Sequence, residues 1–252
     1  MQGKVALVTG AGRGIGRATA LALASRGARV MGVARTEAEL ESLAADAPVE
    51  VLAESVATAE GCARIVEETR RRLGPIDILV NNAGMGSVGE RPIWEQEPER
   101  FEQALAVNLS GPFHLTRLAV PDMTTRGWGR IVMVSSTAGE VGGPAMSGYC
   151  ASKAGLLGLM RSVAQDVGRF GVTCNAVLPG WVRTEMADKK AAWEAGQRGV
   201  TIDEIWAGRA ADYPAGRVLA PEEIAATIAF LASDEASGIN GEALTVALGG
   251  LW

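Results

Sequence analysis

The chain has 252 residues, 48% of them hydrophobic and 21% charged, with a net charge of −5 at neutral pH. This composition excludes a disordered chain, and the acidic balance, with no Lys/Arg run beyond "RRR" at 70–72, argues against a nucleic-acid partner. No apolar run is long enough to span a bilayer, Cys62, Cys150 and Cys174 show no metal-ligand spacing, and "MQGK" leads into an apolar strand without a signal-like segment, so the expectation is a cytoplasmic protein with reduced thiols, no metal and no membrane partner.

"KVALVT" (4–9) is a short apolar run ending at glycines, and "IGRATALALASRG" after it has a helical pattern closed by Gly27. "ARVMGVA" (28–34) reads as a second strand and "TEAELESLAADA" as a second helix, with Thr36 suited to the N-cap. "VEVLA" (49–53) precedes a helix over about 58–73, and "IDILVNNAG" (76–84) begins as a strand. One long helix is expected over about 98–126, then the strand "GRIVMVSS" (129–136), a helix over about 147–169 and the strand "GVTCNAVLPG" (171–180). An irregular segment follows at 181–220, then the helix "PEEIAATIAFLAS" (221–233) and the strand "EALTVA" (242–247). Apolar strands alternating with amphipathic helices predict an α/β fold: a single doubly wound Rossmann domain over 1–252, with a parallel seven-stranded sheet, helices on both faces and a substrate lid at about 181–215.

"TGAGRGIG" (9–16) lies between the first strand and first helix, where a doubly wound fold holds a pyrophosphate on backbone N–H groups. Gly10, Gly14 and Gly16 give the spacing G-x-x-x-G-x-G. With "NNAG" at 81–84, "N-x-x-G" at 108–111, a Ser before a Tyr, "Y-x-x-x-K" at 149–153 and "PG" at 179–180, the whole chain resembles the short-chain dehydrogenase/reductase family. The resemblance implies a nicotinamide dinucleotide held by Gly10, Arg13, Gly14, Ile15, Gly16, Asn82, Ala83, Gly84, Pro179, Gly180, Val182 and Thr184, with Tyr149 and Lys153 also at the cofactor. Thr184 matches a contact to the nicotinamide carboxamide.

At the end of the second strand, "VART" places Ala34 where a ribose-binding carboxylate would stand and Arg35 just after it. With no carboxylate to repel a 2′-phosphate, Arg35 and Arg13 predict NADP(H) in preference to NAD(H). Glu37 lies past that contact. Ser55 stands where family members have an Asp that touches the adenine amine, and a hydroxyl there is a weaker acceptor of shorter reach.

On a helix Tyr149 and Lys153 share a face one turn apart, so the ammonium is expected to lower the pKa of the phenol. Such a phenol would protonate the alkoxide left by hydride transfer to a ketone, or deprotonate an alcohol in reverse. By resemblance Lys153 also bonds the nicotinamide ribose, Ser136 polarises the substrate oxygen, and Asn108 fixes a water beside Lys153. Ser136, 13 residues before Tyr149, is favoured by spacing over its neighbour Ser135. Substrate would sit beyond the carboxyl ends of the strands, among 85–97, 137–147 and 181–215. Trp181, Trp193 and Trp206, with Trp252 at the terminus, suit either a hydrophobic substrate or the packing of the lid. The expected activity is hydride transfer between NADP(H) and a ketone or secondary alcohol, by a homotetramer. The alternative is a 3-oxoacyl-[acyl-carrier-protein] reductase or polyketide-type ketoreductase. Those relatives bind their carrier through arginines, one matching Arg130; the other position holds Phe170, with Arg169 before it.

Overall fold

The computed structural model describes residues 1–89 and 91–250, so the terminal Trp252 lies outside the described residues. The chain alternates strand and helix from β1 (Val5–Thr9) and α1 (Gly14–Ala24) through β2 (Arg29–Ala34), α2 (Glu37–Asp46), β3 (Val49–Ala53), α3 (Ala59–Leu73) and β4 (Ile78–Asn81). It continues through α4 (Pro98–Leu105), α5 (Gly111–Arg126), β5 (Gly129–Val134), α6 (Ser147–Val167) and β6 (Val172–Pro179). Helices α7 (Glu185–Arg198), α8 (Ile202–Ala211) and α9 (Pro221–Leu231) precede the last strand, β7 (Ala243–Val246).

All seven strands are parallel, in the order β3-β2-β1-β4-β5-β6-β7. Side chains alternate between the faces of a strand, and β1 displays that directly. Leu7 joins a core with Ile65 of α3, Leu115 of α5 and Met160 of α6, whereas Ala6 and Val8 join the opposite core with Leu23 of α1, Leu43 of α2 and Ile228 of α9. Each fully buried Leu, Ile or Met contributes about 1.5–3 kcal/mol of transfer free energy, so both faces of the sheet stabilise it. The reversal of strand order falls between β1 and β4, and the carboxyl ends there open the crevice where such folds bind ligands.

Two local expectations are corrected. The helix expected over 98–126 is interrupted by a π-helical turn at 106–110, in which the Gly111 N–H reaches back to Ala106 O. Pro112 has no N–H to offer the carbonyl of Asn108 four residues earlier, and the hydrogen-bond ladder widens to an i→i+5 bond just before it. The segment 181–220 contains two helices rather than irregular chain. Thr184 caps the first by accepting from Ala187 N at 3.3 Å, and Gly199 ends it in the left-handed conformation. Thr201 and Glu204 form a reciprocal capping box at the second.

Candidate active site

The glycine turn is shaped by contacts that tolerate no side chain. A Cβ on Gly16 would collide with the carbonyl oxygen of Gly10, and Gly10 itself has a φ of +66°. Asn82 fastens the turn from β4, donating through Nδ2 to Thr9 O at 2.8 Å and Gly10 O at 3.2 Å. Thr9 answers with a hydroxyl that accepts from the N–H groups of Asn82 and Ala83, both at 3.0 Å. Arg13 occupies the N-cap of α1 in extended conformation with no side-chain cap, which leaves the first-turn N–H groups of Gly14, Ile15 and Gly16 for an anion. A pyrophosphate fits this cradle.

Across the turn, the start of the 181–219 segment closes in. Thr184 Cγ2 would lie 3.2 Å from a Cβ on Gly14. Gly180 ends β6 by donating to Val246 O at 3.0 Å, next to Pro179, and buried Val182 pairs with Leu219. Buried Tyr213, which belongs to no motif of the sequence, accepts from Trp181 N at 2.6 Å and leaves Gly180 no room for a Cβ.

On the other side stand the residues of "YCASK". Lys153 is buried, and its ammonium donates to Val134 O at 2.8 Å and lies 5.9 Å from the Tyr149 ring centre. Burial brings its pKa down to about 8. Tyr149 keeps part of its surface exposed, but desolvation of its enclosed hydroxyl end raises the phenol's pKa, and a hydrogen bond with Ser136 works the other way. The expected lowering is therefore corrected: desolvation exceeds the stabilisation of the phenolate, and the phenol stays protonated at neutral pH. Ser135 is buried with its hydroxyl bonded to Lys153 O at 3.0 Å, so it is Ser136 that meets Tyr149.

Asn108 is wholly buried and clamps the chain after β4. Its Oδ1 accepts from Met85 N at 2.7 Å, and its Nδ2 donates to Met85 O at 3.0 Å and Ser152 Oγ at 2.9 Å. A Cβ on Gly84 would lie 3.6 Å from Asn108 Oδ1 and 3.7 Å from Lys153 Nζ, so Gly84, Asn108 and Lys153 surround one small space. The Asn108 side chain is occupied by protein, and its backbone carbonyl lacks the usual i+4 donor because that residue is Pro112.

The other end of the crevice differs from expectation. Arg35 is exposed and takes part in no ion pair among the described residues, but Arg13 Nη1 contacts Glu39 Oε1 at 2.9 Å and Glu185 Oε2 at 3.0 Å. A carboxylate does stand here, and it comes from α2 rather than from the end of β2. The sequence offered no signal for this, because the contact needs the first turn of α2 folded back over Gly12. Ser55 accepts from Ala57 N at 3.2 Å within its own turn.

In the 181–219 segment, Arg209 is buried between two tryptophans, 3.7 Å from the Trp181 ring centre and 4.7 Å from that of Trp206, and pairs with Glu194 at 2.7 Å. These two tryptophans therefore build the segment's own core, while Trp193 is 40% exposed. Arg130 lies at the opposite, amino end of the sheet, buried and donating to the carbonyls of Gly129, Gly171 and Ser233. Among the described residues no group of His, Cys, Asp and Glu is placed to hold a metal, and no helix is long and apolar enough to cross a membrane.

Comparison with known proteins agrees with this geometry. Residues 10–250 match the family described as enoyl-(acyl carrier protein) reductase. The 3-oxoacyl-[acyl-carrier-protein] reductase FabG of Haemophilus influenzae is 38% identical, over 100% of this chain and 99% of that protein. A single-site variant of actinorhodin polyketide ketoreductase, solved with NADPH, superposes with a TM-score of 0.93 at 33% identity, covering 98% of both chains. Levodione reductase superposes with a TM-score of 0.92 at 32% identity, covering 99% of this chain and 98% of that one. The chain belongs to the short-chain dehydrogenase/reductase family of oxidoreductases.

Proposed function

We propose that the protein transfers hydride between NADP(H) and a ketone or secondary alcohol, as one Rossmann domain over 1–252 with a lid at about 181–215, and acts as a homotetramer in the cytoplasm. The observation that carries this reading is the buried ammonium of Lys153, held to Val134 O at 2.8 Å and lying 5.9 Å from the ring centre of Tyr149 one helical turn away. A reduced nicotinamide, when bound, supplies the hydride. Ser136 donates a hydrogen bond to the substrate oxygen, and Tyr149, protonated at neutral pH, gives its proton to that oxygen as negative charge develops. Lys153 lends positive charge and donates to the nicotinamide ribose, and the Asn108 carbonyl holds the water that returns a proton through Lys153. Gly10, Gly14, Ile15 and Gly16 receive the pyrophosphate, Asn82, Ala83 and Gly84 line the ribose, and Pro179, Gly180, Val182 and Thr184 face the nicotinamide. Arg13 and Arg35 receive the 2′-phosphate, with Ser55 near the adenine.

A second reading, reduction of a 3-oxoacyl thioester on a carrier protein, draws support from the 38% identity to FabG. The burial of Arg130 and the Phe at position 170 weigh against carrier docking through those two places. Both readings are tested by following NADPH and NADH consumption with a panel of ketones and acyl thioesters, with Tyr149→Phe as the blank. Turnover of ketones with NADPH is the expected result. Turnover confined to thioesters would favour the second reading, and activity retained by the blank would overturn both.

A further inference from the structure

Resting on the NADP(H) reading, we propose that Glu39 and Glu185 set the discrimination between 2′-phosphorylated and unphosphorylated dinucleotides by holding Arg13 in competition with the phosphate. The two arginines that mark this end of the crevice are not equivalent. Arg35 is exposed and unpaired among the described residues, whereas a single nitrogen of Arg13 is shared between two carboxylates, at 2.9 and 3.0 Å. Glu39 also covers the glycine turn itself. A Cβ on Gly12 would lie 2.6 Å from Glu39 Oε2 and 3.4 Å from Ala34 Cβ, which puts the carboxylate beside the end of β2. In dinucleotide folds that end of the second strand is where an acid bonds the ribose 2′-hydroxyl. Glu39 can play that part for an unphosphorylated ribose from α2, in place of the missing acid at Ala34.

A 2′-phosphate arriving here carries nearly two negative charges and competes with Glu39 and Glu185 for Arg13, whose Nη1 they share. Two acids against two arginines leave this locus with little net positive charge, and like charges so close repel. The Arg13 side chain is 37% exposed, which screens these pairs and keeps the expected effects moderate. Glu185 is more exposed than Glu39, at 59% against 26%, so its share is the smaller. Because Glu185 opens α7, the same exchange frees the lid's first turn from the glycine turn whenever a 2′-phosphate takes Arg13.

The test is titration calorimetry on the cofactor-free protein with 2′-phospho-ADP-ribose and ADP-ribose, which reads binding without turnover. Glu39→Gln should tighten the phosphorylated ligand by about tenfold and leave the other unchanged or weaker. Glu185→Gln should tighten it by roughly threefold, and both gains should shrink at high salt. Glu37→Gln, on the same helix but not paired with Arg13, should change neither. Equal effects of Glu39→Gln on both ligands, or none, would overturn the proposal. Arg13→Ala and Arg35→Ala separate this from the underlying reading. If they weaken the phosphorylated ligand while Glu39→Gln brings no gain, the NADP(H) reading stands and the acidic brake falls. If the wild type prefers ADP-ribose and Glu39→Gln reverses that preference, the brake stands and the NADP(H) reading falls.

Discussion

At the Tyr149 end of the crevice the working groups are enclosed and tied to backbone: Lys153 to Val134 O, Ser135 to Lys153 O, Asn108 to both polar atoms of Met85. At the Arg13 end they are side chains from three separate elements that hold one another in partial contact with solvent. Desolvation controls the first region, where it moves pKa values, and Coulomb competition controls the second. The difference bears on what each end can do. Groups fixed by backbone hydrogen bonds suit a proton transfer that must occur at one distance, whereas exchangeable ion pairs suit a choice between two ligands that differ by a phosphate.

The largest effect expected is at the enclosed end. Tyr149→Phe removes the proton donor without changing the shape of the ring, and turnover should fall by about 10²- to 10⁴-fold. Dissociation constants for NADPH, measured by fluorescence titration, should stay within about threefold of wild type, since the glycine turn and Asn82 lie elsewhere. A loss of cofactor affinity as large as the loss of rate would show that the phenol serves binding more than chemistry.

Lys153 sharpens the same contrast through pH. Its pKa is lowered to about 8 by burial, so the native state favours the neutral amine more than the unfolded chain does. Below about 8 both states carry the proton and the native protein bears the full cost of a buried charge. Between about 8 and the ordinary lysine range the unfolded chain still binds the proton and the native state does not, so this group's contribution to stability rises with pH. The full span is roughly 3 kcal/mol. The pH slope of unfolding free energy should therefore be more positive in wild type than in Lys153→Met over this window. The comparison is needed because buried Cys62 and Cys174, with raised thiol pKa values, and Tyr149 pull stability down at the alkaline end. An NMR titration of the ¹³Cε-labelled lysine that gave an ordinary pKa would remove the argument.

These two regions were also unequally legible in the sequence. "TGAGRGIG", "NNAG" and "YCASK" are local strings whose spacing already places a turn before a helix or two side chains on one helical face, and the seven strands followed from their apolar periodicity. Pairings between distant segments were not legible. Nothing in the string says that Glu39 and Glu185, 146 positions apart, meet at one arginine. The direction of the Tyr149 shift is not legible either, because spacing reports a neighbouring charge but not the enclosure that outweighs it. The helices of 185–198 and 202–211 are different: the Thr-x-x-Glu box at 201–204 is a local start signal for the second of them.

Between the two ends lies the clamp from β4. Asn82→Ala removes two hydrogen bonds that hold Thr9 O and Gly10 O, and a cost of about 1–3 kcal/mol in denaturant unfolding is expected. Cofactor affinity should fall with it, because the Gly10 turn loses its anchor. An unfolding free energy within ~0.5 kcal/mol of wild type would mean that the glycine turn holds its shape unaided.

The smallest effect is expected from repeating the phenol-to-phenyl change at the second tyrosine. Tyr213 shares with Tyr149 a phenol pKa raised by desolvation, but its oxygen accepts from the backbone of Trp181 at 2.6 Å, so here the hydroxyl is an anchor. Tyr213→Phe leaves that partly buried N–H without this acceptor and should cost about 1 kcal/mol. The loss should be concentrated where the 181–219 segment leaves β6, detectable as faster amide exchange at Trp181 with exchange in α3 and α5 unchanged. Turnover should fall by severalfold at most, through looser closure beside Gly180 and Thr184, with the pH dependence of the rate unaltered because no group that moves a proton has been touched. A rate loss matching that of Tyr149→Phe, or a displaced pH profile, would mean that the proton path runs through the 181–219 segment and that the division between an enclosed chemical end and an exchangeable binding end is drawn in the wrong place.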